Sequence, residues 1–136
     1  MGEKMEITEI EAGMRHQAEE KVTEQNTAKA LGSGSLPVYA TPAMCCLMEK
    51  AAAELAEEKL PQDWTTVGGS INILHKAPTP VGSKVQAEAE VLAVEGRKIS
   101  YRVTAYDESG LIGEGEHERF AVAREKFMAK AASRCQ

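Results

Sequence analysis

Cysteine is scarce in this chain, with three in 136 residues: Cys45, Cys46 and Cys135. Two are adjacent and the third is next to last, so neither a disulfide framework nor a CxxC metal pattern can be built from them. The three histidines, His16, His75 and His117, are too scattered for ligand spacing, so no metal site is expected. Positive charge is in deficit, with 16 Lys plus Arg against 21 Asp plus Glu and a net charge of −5. That balance argues for no nucleic acid and no membrane as partner, while leaving room for one small basic patch facing a phosphorylated ligand. No GxGxxG, P-loop or GxSxG motif occurs, so no cofactor is expected. The longest near-apolar run, Ala40 to Met48, is far too short to span a bilayer. Residues 1–11 carry four glutamates and no apolar h-region. The expectation is a soluble cytoplasmic protein with reduced thiols.

What is present is ordinary globular material, 43% hydrophobic and 27% charged. A chain this long makes a single domain, 1–136. It can bury roughly two thirds of its unfolded surface, so it needs no covalent staple. The only compositional break is Gly32-Ser33-Gly34-Ser35-Leu36-Pro37, a flexible loop suited to a lid or an entrance.

Within Met14 to Thr27 the pattern predicts an early strand. The clearest element is a helix. Thr41 is expected as its N-cap, Pro42 takes the favoured first position, and Met44, Leu47, Met48, Ala51 and Leu55 recur at spacings of three and four. Pro61 bounds the helix at about 18 residues, or roughly 27 Å. Strands follow. Val67 to His75 alternates Gly69, Ile71, Ile73 and His75 against Ser70, Asn72 and Leu74. Val85, Ala87, Ala89, Val91 and Ala93 share one face, as do Ile99, Tyr101, Val103 and Ala105. Leu111 to Val122 is a last long strand, and Arg124 to Ala132 a short terminal helix. Short turns at Glu95-Gly96-Arg97 and Asp107 to Gly110 imply antiparallel neighbours. The apolar face of such a sheet needs a cover, and the long helix is the only element large enough. The fold class is α+β of the hotdog kind, an antiparallel sheet wrapped around one long central helix. A homodimer is expected, because one helix leaves surface for a second copy to cover.

Chemistry could reside in few places. Thr41 stands where a helix N-terminus offers free N–H groups and a positive dipole end, suited to a developing oxyanion. As a plain cap it would need no such role. Glu49 lies eight residues on, about 80° around the axis. Its helical neighbours Cys45, Cys46, Ala52 and Ala53 are small and offer no ion pair, so its carboxyl could be a general base. His75, at a strand end, could be an acid or base at the mouth of a cleft, or simply a half-buried cap of the sheet. Gly68 and Gly69 inside a strand suggest a bulge or close approach by a ligand. Gly113, Gly115, His117 and Arg119 share a strand face where Arg119 could meet a carboxylate or phosphate.

Together these pieces resemble the fluoroacetyl-coenzyme A thioesterase-like family. The matching residues are Val38-Tyr39-Ala40-Thr41, Leu47-Met48-Glu49, Gly68 to His75 and Thr79-Pro80-Val81-Gly82. They continue with Val94 to Ser100, Gly113-x-Gly-x-His117-Glu118-Arg119 and Glu125-Lys126-Phe127. The resemblance covers about Gly13 to Lys130. It implies acyl-CoA hydrolysis by a Thr/Glu/His constellation falling on Thr41, Glu49 and His75. It also implies substrate contacts at Gly68 and Arg119; Gly69 is expected to contact substrate too, on the strand-glycine signal alone. The aromatic lid residues of the fluoroacetate-specific enzyme have no counterpart in Leu31 to Leu36, so a broader or different short-chain acyl group is expected rather than fluoroacetyl. The rival readings are a non-catalytic acyl-CoA binder and a hotdog hydratase or dehydratase.

Overall fold

The structure, a computed structural model, describes residues 6–135; the first five residues of the acidic N-terminal stretch lie outside it. The elements run β1 (Arg15–Lys21), α1 (Ala28–Leu31), α2 (Thr41–Glu57), β2 (Trp64–His75), β3 (Lys84–Glu95), β4 (Lys98–Asp107), β5 (Gly110–Ala123) and α3 (Arg124–Arg134). The strands form one antiparallel sheet in the order β1-β3-β4-β5-β2. No described helix is long and apolar enough to cross a membrane.

Helix α2 forms because its apolar side chains fall on one stripe. Met44, Leu47, Met48, Ala51 and Leu55 are all buried, and they face the sheet as the spacing predicts. Its start is one residue earlier than expected. The N-cap is Ala40, fully buried and without a side-chain cap, while Thr41 occupies the first helical position. Ala40 is fixed instead by tertiary backbone bonds: its N–H donates to the Asn26 carbonyl. That frees the Thr41 hydroxyl for another partner. The helix ends at Glu57 with Glu58 as its C-cap, so Lys59 lies in the turn beyond it.

The inner face of the sheet is made of small and branched residues. Val85, Ala87, Ala89 and Val91 of β3 and Ile99, Tyr101, Val103 and Ala105 of β4 are all buried. Ala93 leaves this face. A register shift between Val91 and Ala93 makes Leu92 an extra, exposed residue, and Val94 packs against the core in Ala93's place. The β3–β4 connection is the two-residue turn Gly96-Arg97, with Gly96 at φ +63°, the left-handed φ such a turn needs. Tyr101 donates from its hydroxyl to the Ala52 carbonyl of α2, so its only polar atom is satisfied inside the core.

Two glycines let the helix and β2 seat against β5. A Cβ on Gly113 would stand 2.6 Å from the Met44 Cε and Sδ atoms. On Gly115 it would stand 2.1 Å from the Asn72 carbonyl oxygen and 2.7 Å from Ile73 Cα. Backbone cannot retreat from such a contact as a flexible side chain can. Gly115→Ala is therefore expected to destabilise the protein by at least about 1–3 kcal/mol, the usual scale of overpacking. Thermal unfolding of the variant beside the parent checks this.

Candidate active site

At the start of α2 the Thr41 Oγ1 lies 2.7 Å from His75 Nδ1. Residue 75 is the last of β2 and pairs with Gly113 of β5, so the central sheet holds the imidazole against the helix end. The two side chains border a cavity of about 330 Å³ whose lining includes Ser33, Tyr39 and Pro78. Burial pushes the His75 pKa below the ordinary histidine value, so the ring is neutral near pH 7. Its Nε2 is buried and makes no hydrogen bond within the described residues. An unpaired buried nitrogen costs about 1–3 kcal/mol, which marks this atom as one awaiting a partner. The first-turn N–H groups of Thr41 and Ala43 have no intrahelical acceptor, and Pro42 between them has no N–H to offer. Dipole, free donors, hydroxyl and neutral imidazole thus meet at one point.

A second cluster sits two turns along the helix. Arg119 is 7% exposed. Its Nε donates to Thr66 Oγ1 at 2.9 Å and its Nη2 to the Thr66 carbonyl at 3.2 Å. Its Nη1 reaches Glu49 Oε2 at 3.4 Å and His117 Nε2 at 3.2 Å. A guanidinium only donates, so His117 Nε2 must accept, and the proton sits on Nδ1, which donates to the Ser70 carbonyl at 2.7 Å. His117 is 1% exposed and stacks on Tyr101 with centroids 5.9 Å apart. Burial pushes its pKa down, and the charge of Arg119 adds to that. Gly68 lies over this cluster: a Cβ there would come within 2.6 Å of Glu49 Oε2.

The six residues singled out in the sequence therefore divide. Thr41 and His75 are in contact. Glu49, Arg119 and Gly68 form the other group. Eight residues of helix separate Thr41 from Glu49, roughly 12 Å along the axis, so one chain alone does not bring hydroxyl, carboxylate and imidazole together. Glu49 is not without an ion pair, as its helical neighbours suggested; its partner comes from β5. Gly69 does not share a face with Ile71, Ile73 and His75. The register shifts between Gly68 and Ser70, leaving Gly69 as the extra residue, and a Cβ there would meet the Phe120 ring at 2.4 Å on the opposite side of the sheet. Sequence reasoning overlooked Thr66 and His117 as members of the cluster. For His117 the signal was present in its shared parity with Arg119. For Thr66 there was none, because Arg119 selects it only across the β2–β5 pair. Among the described residues no three His, Cys, Asp or Glu side chains are grouped to hold a metal ion.

Comparison with known proteins adds identity to this geometry. Residues 22–125 match the family model for fluoroacetyl-CoA-specific thioesterase. The chain is 42% identical over 93 residues to fluoroacetyl-CoA thioesterase of Streptantibioticus cattleyicolor, covering 68% of this chain and 67% of that one. A crystal structure of a substituted form of that kind of enzyme, FlK in complex with acetyl-CoA, superposes with a TM-score of 0.86 at 33% identity, covering 93% of this chain and 100% of that one. A hot-dog-like protein from Thermanaerovibrio acidaminovorans superposes at 0.84 with 25% identity, covering 92% and 93%.

Buried His117 and half-buried His75 make stability depend on pH. Both have folded pKa values below the unfolded value of about 6.5. The unfolded chain then binds protons first as pH falls, so the stability held above about pH 6.5 is lost as pH drops through the folded values. Urea unfolding at pH 7 and pH 5 is expected to show a lower midpoint at pH 5. The drop should be smaller in His117→Gln, which keeps an acceptor but cannot titrate.

Proposed function

Because the chain belongs to the fluoroacetyl-CoA-specific thioesterase family, and is thus a thioester hydrolase of the hotdog fold, we propose that it hydrolyses a short-chain acyl-CoA to the free acid and CoA, using Thr41, Glu49 and His75. The observation that carries this reading is the 2.7 Å contact between the Thr41 hydroxyl and a neutral, partly buried His75 at the N-terminus of α2. In the reaction an oxygen nucleophile adds to the thioester carbon and gives up its proton to a base. The carbonyl oxygen gains negative charge, the C–S bond breaks, and the thiolate takes a proton. The helix N-terminus suits the developing oxyanion. The imidazole suits the proton transfers. Thr41 as nucleophile, its acyl ester then cleaved by a water, and Glu49 holding a water that attacks directly are two routes through the same groups; mass-spectrometric trapping of an acyl-Thr41 adduct distinguishes them. The cavity of about 330 Å³ and the small side chains of the Gly32–Pro37 loop favour a short acyl group. Three free thiols fit a reducing cytoplasm.

The separation of Glu49 from Thr41 is answered by a homodimer, with Glu49 supplied across the interface. Strand β2 is a sheet edge, and Gly68, Gly69, Ser70, Asn72 and Leu74 are exposed along it. An open edge with its N–H and C=O groups unpaired is a template for a second strand. Antiparallel pairing of two copies centred on Ile71 sets His75 opposite residue 67 of the other copy, next to the glycine that overlies Glu49. The carboxylate of Glu49 of the partner subunit then comes to the Thr41–His75 pair, and the unpaired Nε2 of His75 gains an acceptor.

Three outcomes test this. Glu49→Gln and His75→Ala should each lower acyl-CoA hydrolysis at least about 10²-fold, the scale of a lost acid–base group, in a thiol-release assay. Unfolded and refolded together, the two variants should recover about a quarter of the parent activity. Half of the dimers would then be mixed, each with one intact site of two; no recovery would overturn the shared site. The rate should also fall on the acid side, at a pH below the ordinary histidine value, as His75 protonates and ceases to be a base. A rate that rises on acidification would overturn the role of His75.

A further inference from the structure

Arg119 is fixed on one side of its guanidinium and divided on the other. Thr66 of β2 takes the Nε and Nη2 donors, through its hydroxyl and its carbonyl, so the strand sets the plane of the group. Nη1 is left with two hydrogens and two neighbours, Glu49 Oε2 at 3.4 Å and His117 Nε2 at 3.2 Å. The Arg119 side chain is 9% exposed and that of Glu49 40%, so in this pair the carboxylate is the looser partner and follows the cation. His117 has no such freedom. It is buried, stacked on Tyr101 and tied through Nδ1 to the Ser70 carbonyl. Its Nε2 accepts only while the ring is neutral. Gly68 closes the cluster: a Cβ there would stand 2.6 Å from Glu49 Oε2, 3.5 Å from Arg119 Nη1 and 3.6 Å from His117 Cε1, so the three groups meet under one glycine.

We propose that His117 is a positioning residue for Glu49, acting through Arg119: its Nε2 engages one Nη1 hydrogen and leaves the other to aim the carboxylate. This rests on the reading of Glu49 as a reacting group and adds a residue buried out of the substrate's reach. The arrangement works only with a neutral ring. A proton on Nε2 would set two donors and two positive charges 3.2 Å apart, with no acceptor between them. Nη1 then withdraws, and Glu49 loses the partner that places it. Burial is what chiefly keeps the ring neutral; the Ser70 carbonyl opposes it, the Arg119 charge adds to it, and Glu49 from α2 and Glu118 from β5 oppose it. From β4 comes Tyr101, whose own pKa burial pushes up, so it brings no charge. Acid thus removes the placement of Glu49 as well as the basicity of His75.

Two replacements separate this from a merely structural role. His117→Gln keeps an acceptor and cannot titrate; His117→Leu keeps bulk and loses the acceptor. With acetyl-CoA in a thiol-release assay near pH 7, kcat of His117→Leu should lie about tenfold or more below that of His117→Gln, the scale of one hydrogen bond to a charged group, with the two KM values within about twofold. From about pH 8 to about pH 5, log kcat of the parent should fall more steeply than that of His117→Gln, by one proton. Should His117→Leu fail to fold, the steepness in the parent and in His117→Gln decides alone. Equal kcat in the two variants, or equal steepness in the parent and His117→Gln, would overturn the positioning role and leave the hydrolase standing. The coupling is also read without turnover. In protein carrying carbon-13 at its glutamate carboxyls, the NMR signal that Glu49→Gln removes should shift in two steps as the parent is acidified, one of them absent from His117→Gln. A parent that hydrolyses no acyl-CoA yet shows both steps would remove the hydrolase and keep the coupling; a single step in the parent would overturn the coupling.

Discussion

The structure depends on how closely α2 can approach the sheet. The helix lies across all five strands, and the residues beneath it are small where it comes nearest: Ala87 and Ala89 on β3, Ala105 on β4, Gly113 on β5. The Met44 side chain fills the space a Cβ on Gly113 would need. With only 4% aromatic residues, the core relies on this closeness rather than on bulk. The same seating sets the site. It puts Thr41 against the end of β2 and Glu49 against Arg119, so positions along one helix become positions along one strand pair.

Much of this was legible from periodicity. The five-residue stripe of α2, the alternation of β3 through Val91 and of β4 through Ala105, and the turns at Gly96 and at residues 108–109 all report local rules that the tertiary structure keeps. What was not legible follows from single-residue or long-range events. A bulge costs one residue, which alternation cannot register: Leu92 and Gly69 each look like ordinary members of their strands, yet they reverse the facing of Ala93 and of Gly69 itself. Helix α1 has four residues, too few for a periodic signal, and rests on the Thr27 hydroxyl accepting from Ala30 N–H. Thr41 illustrates the limit of local chemistry. By propensity it is a cap, but the buried Ala40 takes that place and the hydroxyl turns to a histidine 34 residues away.

The second cluster carries a different lesson. Arg119 and Glu49 were each noticed separately in the sequence, and nothing there tied them. Four donor contacts on Arg119 bind β2, β5 and α2 into one network that also fixes the tautomer of His117. Such a network holds a carboxylate in a defined place next to an open strand edge.

The topology has a kinetic consequence. Strands β3, β4 and β5 are joined by two-residue turns, so their pairing closes only short loops and can nucleate early. Strand β2 precedes them in the chain yet docks on the far side of β5, with its partner residues some 40 to 60 positions away. Its docking closes a far longer loop than those turns do, as does that of the other edge strand, β1, whose partners on β3 lie 63 to 75 positions away. Both edges of the sheet, including the strand that ends in His75, are thus set by pairings that local turns do not bring about.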